Sequence, residues 1–428
     1  MHIPDGYLSP IVSLGLGGAT VPAWAIASRR VQAVLSNKTI PLLAMFSALT
    51  FTIMMFNVPV PGGTTAHGVG GTLVAIVLGP AAAVIAVSVA LIIQALFFGD
   101  GGVIAIFANC LNMAVILPVV GWATYRLIAG RSPLLSNRRV WAAGIGAYVG
   151  ISVAALVVGI ELGIEPALFS SNGHALYSPY GLTEAVPAML AAHMFGASIV
   201  EGLITGLGLA YLQAQHPEYL RLTRIEKERD ATESGVPAGR PRWQIAAAGA
   251  VGRVAILLGA GLVEAGGDPA RLFGADWSAV DWPAVATMLL VVAVIGVILV
   301  PLAYRLLPPP VKRVGAAFTA VAVVAPVGLI APGFAYGEGS ADDVQAAFGY
   351  VPRGLHDVAG FFGAPLADYN VPLPFFSDAS APLWHAAIGY EIAGIVGILL
   401  VGAATYAVGW AYRAMSGRFR GESGVHVA

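Results

Sequence analysis

The chain has 428 residues, of which 57% are hydrophobic and only 11% charged, with a formal net charge of −1. A soluble domain carries roughly 25% charged residues to cover its surface, and a nucleic-acid binder needs a basic face, so both classes are excluded, as is a disordered chain. One cysteine, Cys110, excludes a disulfide scaffold and a cysteine-rich metal site. What remains is a polytopic membrane protein built of α-helices.

A helix needs about 20 apolar residues to cross a hydrocarbon core about 30 Å thick. In chain order, apolar segments run over 11–28, 40–56, 66–79, 80–98, 103–125, 140–160, 183–213, 244–264, 284–304, 315–331 and 386–412, which predicts eleven spans. Read as one helix, residues 66–98 would extend about 50 Å at 1.5 Å per residue. Pro80 is a natural stop, so two short spans divided at Gly79-Pro80 fit better. With that division, 19 of the 22 Lys and Arg residues fall on one side of the membrane. They follow the first, fifth, seventh, ninth and last spans. The positive-inside rule then places the N-terminus outside and the C-terminus inside. The first ten residues lack the basic stretch of a cleavable signal peptide, so Met1 is expected to be kept, facing out.

The segment Gln213–Arg242 is polar, charged and interrupted by Gly and Pro, and reads as a cytoplasmic linker. It divides a seven-span module (1–213) from a four-span module (244–428). An outer loop at about 332–384 is too long for a simple connector, which makes it functional or disordered. No clear internal repeat is visible, so the hallmark of an inverted-repeat transporter is missing.

The chain begins Met1-His2-Ile3-Pro4-Asp5-Gly6. The Met1 amine, the His2 amide nitrogen and the His2 imidazole can close two adjacent chelate rings on one ion. The amide must lose its proton to bind, which Ni(II) and Cu(II) compel more readily than other divalent ions. Three nitrogens in a plane favour square-planar ions over tetrahedral zinc. On spacing alone, His2 is equally readable as a residue at a frayed end. A fourth nitrogen is offered by His67, within an irregular stretch from Pro59 to Gly71 on the same face. An ionisable residue at membrane depth is a candidate for function, and also for a hydrogen bond to a neighbouring helix.

Further polar residues are candidates for support. Asp100 lies in the turn Phe98–Gly102, which turn formation alone would explain. Asn109 and Asn112 share a helix face, as do His193 and Glu201, eight residues apart. Each pair also reads as helix–helix glue. Gly15, Gly17, Gly18, Gly144, Gly146 and Gly150 would let helices or partner subunits approach closely. There is no GxxxxGK[ST] and no HExxH, so the chain has neither a phosphate loop nor a helical zinc-protease site. Energy for any transport must come from a partner.

These motifs, taken together and in order over about residues 1–215, resemble the CbiM/NikM family. They are Met1–Gly6, Pro59–Gly71 with His67, Phe98–Gly102, Asn109–Met113 and His193 through Glu201 to Thr205. The resemblance implies the substrate-capture component of an energy-coupling-factor (ECF) transporter for cobalt or nickel, in a bacterial or archaeal cell membrane. It implies metal ligation by the Met1 amine, the His2 amide and imidazole, and His67. The ion is cargo, and no resident cofactor is expected. The implied partners are a membrane coupling subunit and two ATPase subunits. The second module resembles the CbiN/NikN-type extension that carries Pro-Asp-Gly-Leu-Glu. Here that motif reads Pro352-Arg353-Gly354-Leu355-His356, with two carboxylates replaced. The planar nitrogen set, Pro4-Asp5 and the fusion favour nickel, with cobalt uptake for cobalamin synthesis as the alternative. A membrane metalloenzyme built around His67 and His193 would need an open coordination position and a nearby general base, and the sequence supplies no recognisable base. A self-sufficient secondary transporter is the other rival.

Overall fold

The structure is a computed structural model that describes residues 1–32, 39–60, 64–221, 282–306, 312–330, 337–358, 361–377 and 382–422. The predicted span at 244–264 and most of the predicted linker lie outside these residues. The elements in order are α1 (Pro10–Gln32), α2 (Thr39–Met55), the hairpin β1 (Val58–Val60) and β2 (Thr64–Ala66), α3 (Gly71–Leu78) and α4 (Pro80–Ile93), which a π turn extends to Phe98. Then come α5 (Ile106–Ala129), α6 (Asn137–Leu168), a small hairpin of Ser170–Ser171 with His174–Ala175, and α7 (Leu182–Gln215). The C-terminal part holds α8 (Trp282–Leu306), α9 (Lys312–Val324), three short helices α10 (Ala341–Phe348), α11 (Arg353–Val358) and α12 (Pro374–Ser377), and α13 (Leu383–Glu422).

Among the described residues, seven helices are long and apolar enough to cross a membrane: α1, α4 with its π turn, α5, α6, α7, α8 and α13. Their outward faces carry large apolar side chains such as Leu14, Leu127, Leu290 and Val297, each more than 60% exposed, as lipid requires. The protein is a multi-pass, all-helical membrane protein. The expected count of eleven is not reproduced. α2 has 17 residues, α9 has 13 before it tightens into a 3₁₀ turn, and segment 66–79 is not a full span. α3 has eight residues, about 12 Å of helix, and the antiparallel hairpin of β1 and β2 precedes it.

The break at Gly79-Pro80 is real. Gly79 adopts φ 91°, ψ 155°, and Pro80 starts α4. This corner lines an apolar cavity of about 530 Å³ together with Arg30 and Arg126. The α3–α4 corner therefore lies at the same end of the molecule as the last turns of α1 and α5, as the charge pattern predicts.

Close helix contacts depend on missing side chains. A Cβ on Gly150 of α6 would come within 2.5 Å of the Leu117 carbonyl oxygen, and one on Gly146 within 2.6 Å of that of Gly121. Gly144 faces Gly202 and Gly17 faces the Phe107 ring, whereas Gly15 and Gly18 meet nothing. α13 packs along α2. The Phe51 ring fills the space above Gly397, Thr405 donates to Ser47 Oγ at 2.9 Å, and the Tyr390 hydroxyl donates to the Met55 carbonyl. The C-terminal part is thus bonded directly to the N-terminal part.

Candidate metal centre

The first nine residues run across the end of the helical body and are bonded along their length. Ile3 N–H donates to Asn109 Oδ1 at 2.8 Å, while Ile3 O accepts from Asn109 Nδ2 at 3.0 Å and from Gly102 N–H at 2.8 Å. The Asp5 carboxylate accepts from the Val103 and Ile104 amides at 3.1 and 2.8 Å. Tyr7 O accepts from Ser178 N–H, and Glu165 at the end of α6 accepts from both the amide and the hydroxyl of Ser9, which leads into α1. Met1, His2 and Ile3 are 2%, 4% and 1% exposed. The N-terminus is thus a fixed, buried stretch of chain, and the alternative reading of His2 as a residue at a frayed end does not hold.

This course needs the turn between α4 and α5. Gly101 sits at φ +85°, and a Cβ there would crowd Asn109 Nδ2 and His2 Cδ2 at 3.0 and 3.1 Å. At Gly102 it would strike the Asp5 carboxylate. The Gly-Asp-Gly-Gly turn is therefore shaped to accept the N-terminus, and its Asp100 is placed against His2.

His67 lies where the extended passage meets α3, and is 4% exposed. Its Nδ1 is 2.9 Å from its neighbour's carbonyl, Gly68 O, so Nδ1 carries the proton and Nε2 the lone pair. That Nε2 is 3.1 Å from His2 Nδ1, with the two rings 4.8 Å apart. His2 Nδ1 is also 2.9 Å from Asp100 Oδ1. One proton on His2 Nδ1 is thus shared between a carboxylate and an imidazole. Adjacent ligands about 2.0 Å from a metal lie about 2.9 Å apart at a right angle, close to the observed nitrogen–nitrogen separation. Burial holds His67 well below the ordinary 6.5, helped by the Met1 ammonium and by His2, so its lone pair is free at neutral pH. Burial pushes Asp100 up, but the facing His2 outweighs it and keeps the carboxyl below its ordinary value. Among the described residues no three His, Cys, Asp or Glu side chains group as a metal site by themselves. A cation here would draw on main-chain nitrogen.

Two of the other predicted residues tie neighbouring elements together. Asn112, one turn deeper than Asn109, donates to Glu161 at 2.7 Å. Glu201 Oε2 accepts from the Val69 and Gly70 amides at 2.7 and 2.8 Å, which pins the chain just after His67. His193 lies on the same helix but does not bond Glu201; its Nδ1 faces Met189 O at 2.8 Å.

The remaining contacts come from the C-terminal part, which sequence reasoning did not connect to the site. The Met1 amine faces Glu338 Oε1 at 3.4 Å, and the Tyr7 hydroxyl donates to Gly339 O. Tyr369 donates to Asp100 Oδ2, and Gln94 Nε2 donates to the same oxygen at 3.0 Å and to the Tyr369 hydroxyl at 2.7 Å. Burial raises the Tyr369 phenol far above its ordinary value, with Asp100 adding to it, so it remains a donor. Leu366 N–H bonds Phe97 O, and Gly354 N–H bonds Leu176 O. The described residues of 337–358 and 361–377 therefore form a cap over this end. The divergent Pro352–His356 stretch sits on it as α11, with Gly354 packed on Tyr177 and with Arg353 and His356 pointing outward to pair with Asp357.

Comparison with known proteins places the chain among metal-transport proteins. Residues 2–219 match the family model CbiM, cobalt uptake substrate-specific transmembrane region. The fused nickel transport protein NikMN of Rhodobacter capsulatus is 36% identical over 402 residues, 94% of this chain and 95% of that protein. A protein of Lactiplantibacillus plantarum described as "Probable fused nickel transport protein LarMN" is 48% identical over 54% of this chain and 69% of its own length. A crystal structure of a truncated transition metal transporter is 51% identical and covers 50% of this chain and 100% of its own, at a TM-score of 0.48. The chain belongs to the CbiM/NikM family, in its fused form.

Proposed function

We propose that the chain captures Ni(II), with Co(II) as the alternative, at its outer face through an all-nitrogen chelate. The donors are the Met1 amine, the His2 amide and Nδ1, and His67 Nε2. The observation that carries this reading is the buried approach of His67 Nε2 to His2 Nδ1, at 3.1 Å, beside the amine. Such a set rejects Mg(II) and Ca(II), which prefer oxygen ligands, and it favours ions that accept a planar nitrogen field. The relatives support a metal cargo. The family description names cobalt, and the Rhodobacter relative is named for nickel. In this reading the planar donor set favours nickel.

In this reading the chain is a transport component, not an enzyme. It holds no resident cofactor and works with a membrane coupling subunit and two ATPases of the ECF type. Residues 1–213 form the capture module, 214–243 a cytoplasmic linker, and 244–428 a second membrane module whose outer loop caps the site. Asp100, Asn109, Asn112 and Glu201 support the ligands, and His193 is left outside the resting set.

The test compares the purified full chain with a variant carrying one extra residue before Met1. The extension keeps every side chain but moves the free amine away from His2. One equivalent of Ni(II) with a square-planar d–d band in the native chain, lost in the extended one, is the expected result. Equal binding by both would remove the amine from the ligand set. Competition between Ni(II) and Co(II) on the native chain then identifies the metal.

A further inference from the structure

His193 is the first residue of a π turn, His193–Ala197, inside α7. Such turns interrupt a helix at some cost and concentrate at functional positions. The side chain is 3% exposed. Its Nδ1 faces the Met189 carbonyl at 2.8 Å, and a carbonyl only accepts, so the proton is on Nδ1 and the lone pair on Nε2. That Nε2 is fully buried and has no hydrogen-bond partner among the described residues. Buried polar atoms are almost always satisfied, so an orphan of this kind calls for an explanation.

The arrangement repeats that of His67. There too Nδ1 is tied to a main-chain carbonyl, Gly68 O at 2.9 Å, and Nε2 is the free end. Histidines that ligate metals are commonly fixed in this way, with one ring nitrogen anchored so that the other is aimed. Both rings have the Met1 amine as an electrostatic neighbour. The π turn also packs on the β1–β2 hairpin that leads to His67, where Gly196 leaves the space that Val60 fills. His193 is thus a second anchored imidazole, packed by its π turn against the hairpin that leads to His67 and near enough to the Met1 amine to feel its charge, and the ligand set described above does not use it.

We propose that His193 Nε2 is a hand-off donor for the captured divalent cation, binding it as the Met1 amine lets go. This rests on the chelate reading. The step is a ligand exchange with no change of oxidation state. The bond from the Met1 nitrogen to the metal breaks, the bond from His193 Nε2 forms, and the freed amine takes a proton from solvent.

The test uses the full chain with its native N-terminus, loaded with one equivalent of Ni(II). His193→Asn keeps an N–H positioned for the Met189 carbonyl but removes the Nε2 lone pair. The readouts are the planar d–d band and the rate of Ni(II) loss to excess external chelator. The variant is expected to keep the band and the stoichiometry while releasing metal about tenfold more slowly, the lower end of what removal of a group assisting a metal site produces. His193→Gln, which places an amide near the Nε2 position, is expected to fall in between, and it replaces the Asn variant should that chain fail to fold. Unchanged release with the band intact would overturn the hand-off. Loss of the band in a folded variant would also overturn it, because His193 would then be a resting ligand. Absence of the band in the native chain would instead refute the chelate itself.

Discussion

The side-chain amide of Asn109 pairs with the main chain of Ile3 in both directions, accepting from its N–H at 2.8 Å and donating to its carbonyl at 3.0 Å. It acts as a one-residue β-strand and fixes the chain immediately after the proposed chelate. The helix bearing Asn109 lies more than a hundred residues downstream, so the aim of the N-terminus is set by tertiary structure.

Asn109→Ala removes both bonds and leaves the Ile3 N–H buried without its acceptor. That costs about 1–3 kcal/mol, spent on the geometry of Met1 and His2. Ni(II) affinity is expected to fall about 10- to 100-fold in equilibrium dialysis, with little change in the helix content of the apo chain. Unaltered affinity would show that the N-terminus holds its course without Asn109.

Tyr369 joins the cap to the site through Asp100 and Gln94, and its ring stacks on Phe98 with centroids 4.8 Å apart. Tyr369→Phe keeps the stack and deletes the hydroxyl. Loss of two buried hydrogen bonds, to Asp100 and from Gln94, costs about 2 kcal/mol, so metal should exchange roughly 30-fold faster. Stopped-flow mixing of the loaded chain with a chelator measures this. An unchanged exchange rate would mean that the cap does not open at this contact.

Protons should oppose both the apo fold and the bound metal. His67 is held below 6.5 chiefly by burial, so in the range below 6.5 the unfolded chain binds more protons than the folded one. Stability from this group therefore declines as pH falls through 6.5 and goes on declining to the lower folded value. Asp100, held below its ordinary 3.8 against the pull of its burial, contributes stability above 3.8 that is lost as pH falls through its own lower value. Both act in the same direction. The chelate adds to it, because its nitrogens must shed protons to bind metal. Thermal melting of apo and Ni(II)-loaded chain across this range should show a falling midpoint in both and a steeper fall with metal. A midpoint that rises on acidification would contradict the assignment of His67 as a neutral ligand.

Part of the candidate site was legible in the sequence because its residues are close in the chain. Met1 and His2 are adjacent, so the amine, amide and imidazole could be marked as a candidate chelate without a fold, though spacing alone did not separate it from a frayed end. His67 was marked by the Pro- and Gly-rich stretch around it, and Asp100 by its glycines. The cap was not legible. Glu338 and Tyr369 reach Met1 and Asp100 across more than 250 residues, and no periodicity records such a meeting. The span count is not confirmed, because apolarity and length diverge. The residues of α3 are apolar enough for a membrane helix, but Gly79-Pro80 ends it after eight residues. The charge pattern does not depend on helix length, only on which end of the body each turn reaches, and Arg30, Gly79 and Arg126 do share an end.

Gly397 tests whether the C-terminal part holds the site closed. Its missing side chain leaves room for the Phe51 ring, and an added Cβ would stand 2.0 Å from the ring's far carbon. Phe51 is fully buried and touches both Phe98 and Tyr369, so a shift of α13 against α2 reaches the cap through one aromatic cluster. Overpacking of this kind costs about 1–3 kcal/mol. Gly397→Val should lower the melting temperature and speed metal loss together. Replacing Phe51 by Ala in the same chain should recover part of both effects, because the two positions are in contact and their substitutions are not additive. Were Gly397→Val to destabilise the chain while metal loss kept its native rate, the α2–α13 contact would hold the halves together without governing the cap.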